Sequence, residues 1–281
     1  VLVNRPVSYN LASRTGIGSI SYMGWATTLI QFPQGLVAIA ISAAILPTLS
    51  RQAVQIGVQG LQPFKDTLGQ GLRLAIVLII PATVGLFVLA EPVVGMIFEH
   101  GKFTEVGTSI TALALRLYLL GLPFAAIDLL LVFAFYAQQN TLTPALIGLV
   151  SLVAYMAVAF GLLPWYGLFA LMIADSVKHL IHTGVSAWLL YRRLDGYGDQ
   201  HLISTTLRAS LAAAIMGVLA FGIAAALERA LPAGLIRQTI TVMLAGGVGV
   251  ISFSVLASWL GLEEWRWLRE ILRRRLGMNG G

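Results

Sequence analysis

Cysteine is absent from this chain of 281 residues. Disulfides, thiolate nucleophiles and cysteine-bound metals are therefore excluded. Charge is scarce as well. Asp, Glu, Lys and Arg make up 11% of the residues, against roughly 25% in a typical soluble domain. There is no nucleophile elbow, no phosphate-cradling glycine loop and no His-Glu-x-x-His helix, so no enzyme reading survives. Gly246, Gly247 and Gly249 suit close helix packing instead. No signal-peptide pattern opens the chain, which begins with Val1; it is expected to be the C-terminal part of a longer protein.

What remains is apolar: 58% of the residues are hydrophobic. A helix needs about 20 apolar residues to cross a hydrocarbon core. Seven segments meet that standard, over 19–49, 72–89, 108–137, 144–163, 168–190, 204–227 and 236–260. None shows the alternation of a membrane barrel. Backbone groups in lipid must be satisfied within the segment, so the predicted fold is an all-α polytopic membrane bundle. Pro33, Pro81 and Pro123 fall inside three spans and are hinge or kink candidates. Residues 57–71, with Leu61, Phe64 and Leu68, read as a second surface helix.

The basic residues sort by side. Arg51, Lys65 and Arg73 flank one loop, Arg192, Arg193 and Arg208 another, and five arginines from Arg266 to Arg275 crowd the C-terminus. Counting spans puts these regions on one side, which the positive-inside rule makes cytoplasmic. Such clusters beside apolar segments indicate membrane topology rather than nucleic-acid binding. Trp265, Leu268, Leu272 and Leu276 share a face among arginines, which suits either an interfacial helix or a stop-transfer flank.

One span breaks the apolar rule. Asp175, Lys178, His179 and His182 fall within one arc of a helix, in the middle of an apolar run. A charge in hydrocarbon is costly unless it faces water, a partner or a substrate, so a polar pathway is expected. Three uses are open: cationic contact with an anionic cargo, a proton relay through the histidines, and an Asp175–Lys178 pair that only stabilises packing. Asp128 is an alternative partner for Lys178. Asp175, His179 and His182 have metal-ligand spacing, but Lys178 would repel a divalent ion, so no metal is assigned.

Several motifs resemble one family. Pro33-Gln34-Gly35-Leu36 is followed by Ile45-Leu46-Pro47-Thr48-Leu49-Ser50-Arg51. Residues 86–92 lead to Phe98-Glu99-His100-Gly101-Lys102-Phe103-Thr104. Then come Leu120-Gly121-Leu122-Pro123, Ala134-Phe135-Tyr136-Ala137 and Asn140-Thr141-Leu142-Thr143-Pro144. In this order and spacing they resemble the MurJ (MviN) lipid II flippase family of the multidrug/oligosaccharidyl-lipid/polysaccharide exporter superfamily. The resemblance implies 14 helices in two six-helix lobes plus two extra helices. On that pattern, residues 1–193 are the tail of helix seven and helices eight to twelve, 194–262 the two extra helices, and 263–281 a basic amphipathic cytoplasmic tail. It also implies a bacterial cytoplasmic-membrane protein whose partners are a lipid-linked glycan, membrane lipids, an N-terminal lobe absent from this chain and cell-wall synthesis proteins. No cofactor is implied beyond a coupling ion or proton.

The chain departs from the family pattern at charged positions. Where the family's eighth helix carries Asp-Arg and then Glu, this chain has Thr27, Thr28 and Gln31. Asn4 and Asn140 replace aspartates, and Asp128 stands where a basic residue is common. Losing the arginine removes a bidentate phosphate partner. Lys178, His179 and His182, or Arg116, are candidates to supply the missing cation. The expected cavity-facing set is Thr27, Thr28, Gln31, Asp128, Asp175, Lys178, His179 and His182. Three functions remain: a lipid II flippase, an exporter of another polyprenyl-linked glycan or a small solute, and a non-transporting cell-wall scaffold.

Overall fold

The structure, a computed structural model, describes residues 4–99, 101, 103–197 and 200–267. Among them there are helices and connecting turns and no strand. In chain order they are α1 (Asn4–Ser13), α2 (Ser19–Ala44), α3 (Leu46–Val54), α4 (Ile56–Gln59), α5 (Gln62–Val88), α6 (Ala90–Phe98), α7 (Glu105–Leu119), α8 (Leu122–Ala137), α9 (Leu142–Tyr166), α10 (Phe169–Arg193), α11 (Leu202–Ala230) and α12 (Leu235–Trp259). Five of them, α2, α5, α9, α11 and α12, are long and apolar enough to cross a membrane. The bent pair α7–α8 makes a sixth span if counted as one. At 25 residues α10 is as long as α9, but its central polar residues leave it outside this set, so the expected span over 168–190 does not qualify by composition. Residues 268–281, most of the predicted amphipathic tail, lie outside the described residues.

Three segments differ from the sequence reading. The segment 19–49 breaks at Ile45, and Pro47 then takes the first turn of α3, where its missing N–H costs nothing. The expected surface helix over 57–71 is not separate. Only the single turn α4 stands alone, and α5 begins at Gln62 and runs on through the span. Phe64 and Leu68 are fully buried in the main core, so their apolar face looks inward rather than at the interface. The span 108–137 is two helices bent by 43° at Leu120–Gly121. Pro123 sits in the first turn of α8, just past that bend. Pro33 and Pro81 lie within continuous helices.

The bend at Leu120–Gly121 shows how a broken helix is kept at membrane depth. The Gly121 amide turns to the Tyr118 carbonyl at 3.0 Å, not to that of Leu117. The Leu117 carbonyl instead accepts the Ser176 hydroxyl from α10 at 2.7 Å. A second α10 hydroxyl, that of Thr183, donates to the Phe124 carbonyl at 2.8 Å. The freed backbone acceptor is thus satisfied inside the protein, as hydrocarbon requires. Glycine permits the approach: a Cβ at Gly121 would lie 2.7 Å from the Ser176 Cα.

α2, α5, α7, α8 and α10 pack around the main core, with α9 alongside α10 and α1 against α2. α11 and α12 pair with each other and lie on α5 and α6. Both ends of that pair are tied down. At one end Arg73 Nε donates to Glu264 Oε1 at 2.5 Å, and its Nη1 donates to the Gln200 carbonyl at 2.7 Å. The Gln200 amide donates to Asp66 at 2.8 Å and lies over Gly69, where any Cβ would overlap it. Lys65 donates to the Asp195 carbonyl at 3.1 Å. These contacts place parts of all three basic regions at the same end. At the other end Glu99 accepts from Thr108 at 2.7 Å and from Gln238 at 2.9 Å, with Gln238 lying over Gly95.

Gly121→Val is expected to destabilise the protein by about 1–3 kcal/mol, because the added methyls overpack the α8–α10 contact. A lowered melting temperature in detergent relative to wild type checks this; an unchanged one shows that the bend is not held by close approach.

Candidate functional site

α10 buries Ala170, Leu171, Met172, Ala174, Thr183, Ser186 and Leu190, which fixes its rotation against α7, α8 and α9. That rotation leaves Asp175, Lys178, His179 and His182 half-buried along one stripe. Lys178 Nζ pairs with Asp175 Oδ1 within the helix. The other oxygen of Asp175 faces His179 Nε2 at 3.6 Å. One turn on, His182 Nδ1 meets Asp128 Oδ1 of α8 at 2.6 Å. Ser186, at 3.4 Å, shares the same nitrogen. These five charged or titratable side chains are between 15% and 27% exposed. That is too buried for free solvation and too open for a sealed core.

Four other helices close on this stripe. Tyr118 of α7 lies in the field of Asp175, with its hydroxyl in hydrogen-bonding reach of Thr27 on α2. Tyr155 of α9 also senses Asp175, and its hydroxyl bonds the Ser8 hydroxyl of α1 at 2.8 Å. His182 Nε2 points toward Gly148 of α9, where a Cβ would sit 3.9 Å away. Sequence reading missed Tyr118, Tyr155 and Ser8, since they come from three separate helices. Ser186 carried a signal, being four residues from His182 on the same face.

Of the eight expected cavity residues, the structure brings together Asp128, Asp175, Lys178, His179 and His182, with Thr27 linked to them through Tyr118. Thr28 and Gln31 are exposed on α2. No hydrogen bond or ion pair among the described residues joins those two to the α10 cluster, and Thr28 Oγ1 donates to the Gly24 carbonyl at 3.0 Å. The partner of Lys178 is Asp175, while Asp128 serves His182. Asp175, His179 and His182 are therefore divided between two pairs, and no group of three such ligands that could hold a metal ion occurs among the described residues. Arg116 is elsewhere. It donates to the Phe87 carbonyl at 3.2 Å and lies 3.9 Å from Glu91, a snorkelling geometry at a helix end.

The motif residues have mechanical tasks. Asn140 accepts from the Thr143 amide at 3.1 Å and donates to its hydroxyl at 2.8 Å, which starts α9. Thr104 caps α7 through the Gly107 amide at 3.4 Å. Phe103 packs edge-on against Trp25 with ring centres 4.6 Å apart. Glu99 belongs to a cavity of about 400 Å3 at the far end, lined also by Glu91, Glu105, Glu228 and Arg237.

Comparison with known proteins gives this geometry a family. Residues 1–239 match the family described as lipid II flippase MurJ. A probable lipid II flippase MurJ of Bdellovibrio bacteriovorus is 32% identical over 260 residues, 92% of this chain and 48% of that protein. One of Vibrio cholerae is 31% identical over 258 residues, covering 90% and 48%. The chain thus spans about half the length of the curated relatives it matches. A solved structure of lipid II flippase MurJ in an inward closed conformation superposes with a TM-score of 0.73 at 25% identity, over 92% of this chain and 51% of that one. A superfamily transporter from Pyrococcus furiosus shares the fold alone, with a TM-score of 0.52 at 15% identity over 92% and 60%. These matches and the apolar helices make this a multi-pass membrane protein, and the chain belongs to the MurJ lipid II flippase family.

Proposed function

We propose that this chain forms one wall of the cavity of a flippase that carries lipid II, a polyprenyl-pyrophosphate-linked peptidoglycan precursor, across the bacterial cytoplasmic membrane. The observation that carries this reading is the half-buried cation Lys178, held by Asp175, which also faces His179, on a helix of a chain whose family is named for lipid II. A pyrophosphate needs cationic and hydrogen-bonding partners at membrane depth. Thr28 lacks the charge that the family's arginine would bring, and Lys178 supplies it from another helix. Tyr118, Tyr155 and Thr27 add neutral donors around it.

Transport proceeds by alternating access, with this lobe rocking against a second one. Pro33, Pro81 and the bend before Pro123 absorb the bending. The end carrying Arg73, Lys65 and Glu264 faces the cytoplasm, because short basic loops stay on that side. Lipid II is the only cargo for which the matched names argue, so an exporter of another polyprenyl-linked glycan is the reading to adopt if lipid II is not moved.

The full-length protein, expressed in cells depleted of their own lipid II flippase, is expected to restore lipid II exposure on the outer leaflet. Lys178→Ala is expected to abolish that exposure while the folded protein remains in the membrane. Transport unchanged by this substitution would remove Lys178 from the cargo path. The Asp128–His182 pair is a structural partner to the site. Asp128→Asn and His182→Gln should each lower the melting temperature, and the double variant should lose less than their sum, with a coupling of about 0.5–3 kcal/mol. Strict additivity in such a cycle would mean that the pair does not form.

A further inference from the structure

Lys178 is not available to a cargo in this structure, because Asp175 holds it. An anion that takes Lys178 must displace that carboxylate. The displaced Asp175 then has one basic neighbour, His179, whose Nε2 faces Oδ2 at 3.6 Å. We propose that an anionic pyrophosphate headgroup replaces Asp175 as the partner of Lys178, and that the Asp175–His179 pair takes up a proton from water in the same step. This deepens the flippase reading and rests on it.

The surrounding groups leave Asp175 no other compensation. On α10 itself, His182 is committed to Asp128 of α8 at 2.6 Å. From α7 and α9 come Tyr118 and Tyr155, which offer neutral hydroxyls, from α1 comes Ser8 behind Tyr155, and from α2 comes Thr27 beside Tyr118. No second lysine or arginine pairs with Asp175 among the described residues. A carboxylate that loses its cation in a half-buried site at membrane depth is strongly disfavoured. One proton, on either the imidazole or the carboxylate, restores a neutral or ion-paired unit with only a short closure of the pair, since the two side chains already face each other at 3.6 Å. No bond to the cargo is made or broken, and the proton comes from solvent through the open side of the stripe.

Two consequences follow by linkage. The proton is bound together with the headgroup, so affinity rises as pH falls. The same proton must leave when the cargo leaves, which ties release to the pH of the side that receives it.

Isothermal titration of the full-length protein in lipid nanodiscs tests this, with undecaprenyl pyrophosphate as probe and two buffers of different ionisation enthalpy at one pH. The buffer dependence of the heat counts the protons taken up. Wild type is expected to take up about one proton per bound ligand. Asp175→Asn, which frees Lys178 without leaving a carboxylate behind, is expected to bind with no proton uptake. Binding by wild type without uptake overturns the linkage and leaves the flippase reading standing. Uptake unchanged in Asp175→Asn assigns the proton to another group and also overturns it. No binding by wild type counts against the flippase reading as well. Should Asp175→Asn fail to fold, the wild-type count alone decides.

Discussion

The structure depends on one constraint: a polar group placed at membrane depth must find its partner inside the protein. α10 is where that constraint is met most often. Its polar stripe pairs within itself and with Asp128 of α8. Its hydroxyls Ser176 and Thr183 satisfy carbonyls at the α7–α8 bend. The same helix therefore carries the charged site and allows the neighbouring span to break. Its rotation is over-determined, because turning it would strand charges and backbone acceptors together. This gives the site a rigid back wall, and the polar side chains that remain partly open face whatever fills the cavity.

The α11–α12 pair is governed by the same logic at the ends of the helices. Apolar contact with α5 and α6 specifies little about axial position, since one leucine-rich face resembles another. Polar ties supply the register. Arg73, Glu264, Gln200 and Asp66 form one network, and Glu99, Thr108 and Gln238 form the other. In both, a glutamine lies over a glycine, Gln200 on Gly69 and Gln238 on Gly95. Side-chain amides need that close approach to reach their carboxylates. Removing one member of such a partly buried network leaves the others unsatisfied, and so costs more than the contact itself contributed.

Much of this was legible in the sequence. Apolar runs of spanning length announced the helices, and the order of short motifs announced the family. The i, i+3, i+4 and i+7 spacing placed Asp175, Lys178, His179 and His182 on one face before any coordinates. Other features were not legible. Phe64 and Leu68 read equally well as a surface face or a core face, because periodicity shows that a stripe exists and not what covers it. Pro123 marked a possible kink in its span, but what holds the bend was not legible, because its stabilising hydroxyl lies 59 positions away on α10.

The sequence by itself determined the membrane class, the all-helical fold, the polar stripe on α10 and the family, since each depends on composition, local periodicity or the order of neighbouring residues. Only the tertiary structure decided which partner each charge takes. Asp128 joins His182 and not Lys178, Tyr118 and Tyr155 close on Asp175, and Arg116 leaves the site for a helix end. Pairings of this kind cross from helix to helix, and they are set by the rotation and depth at which apolar faces pack.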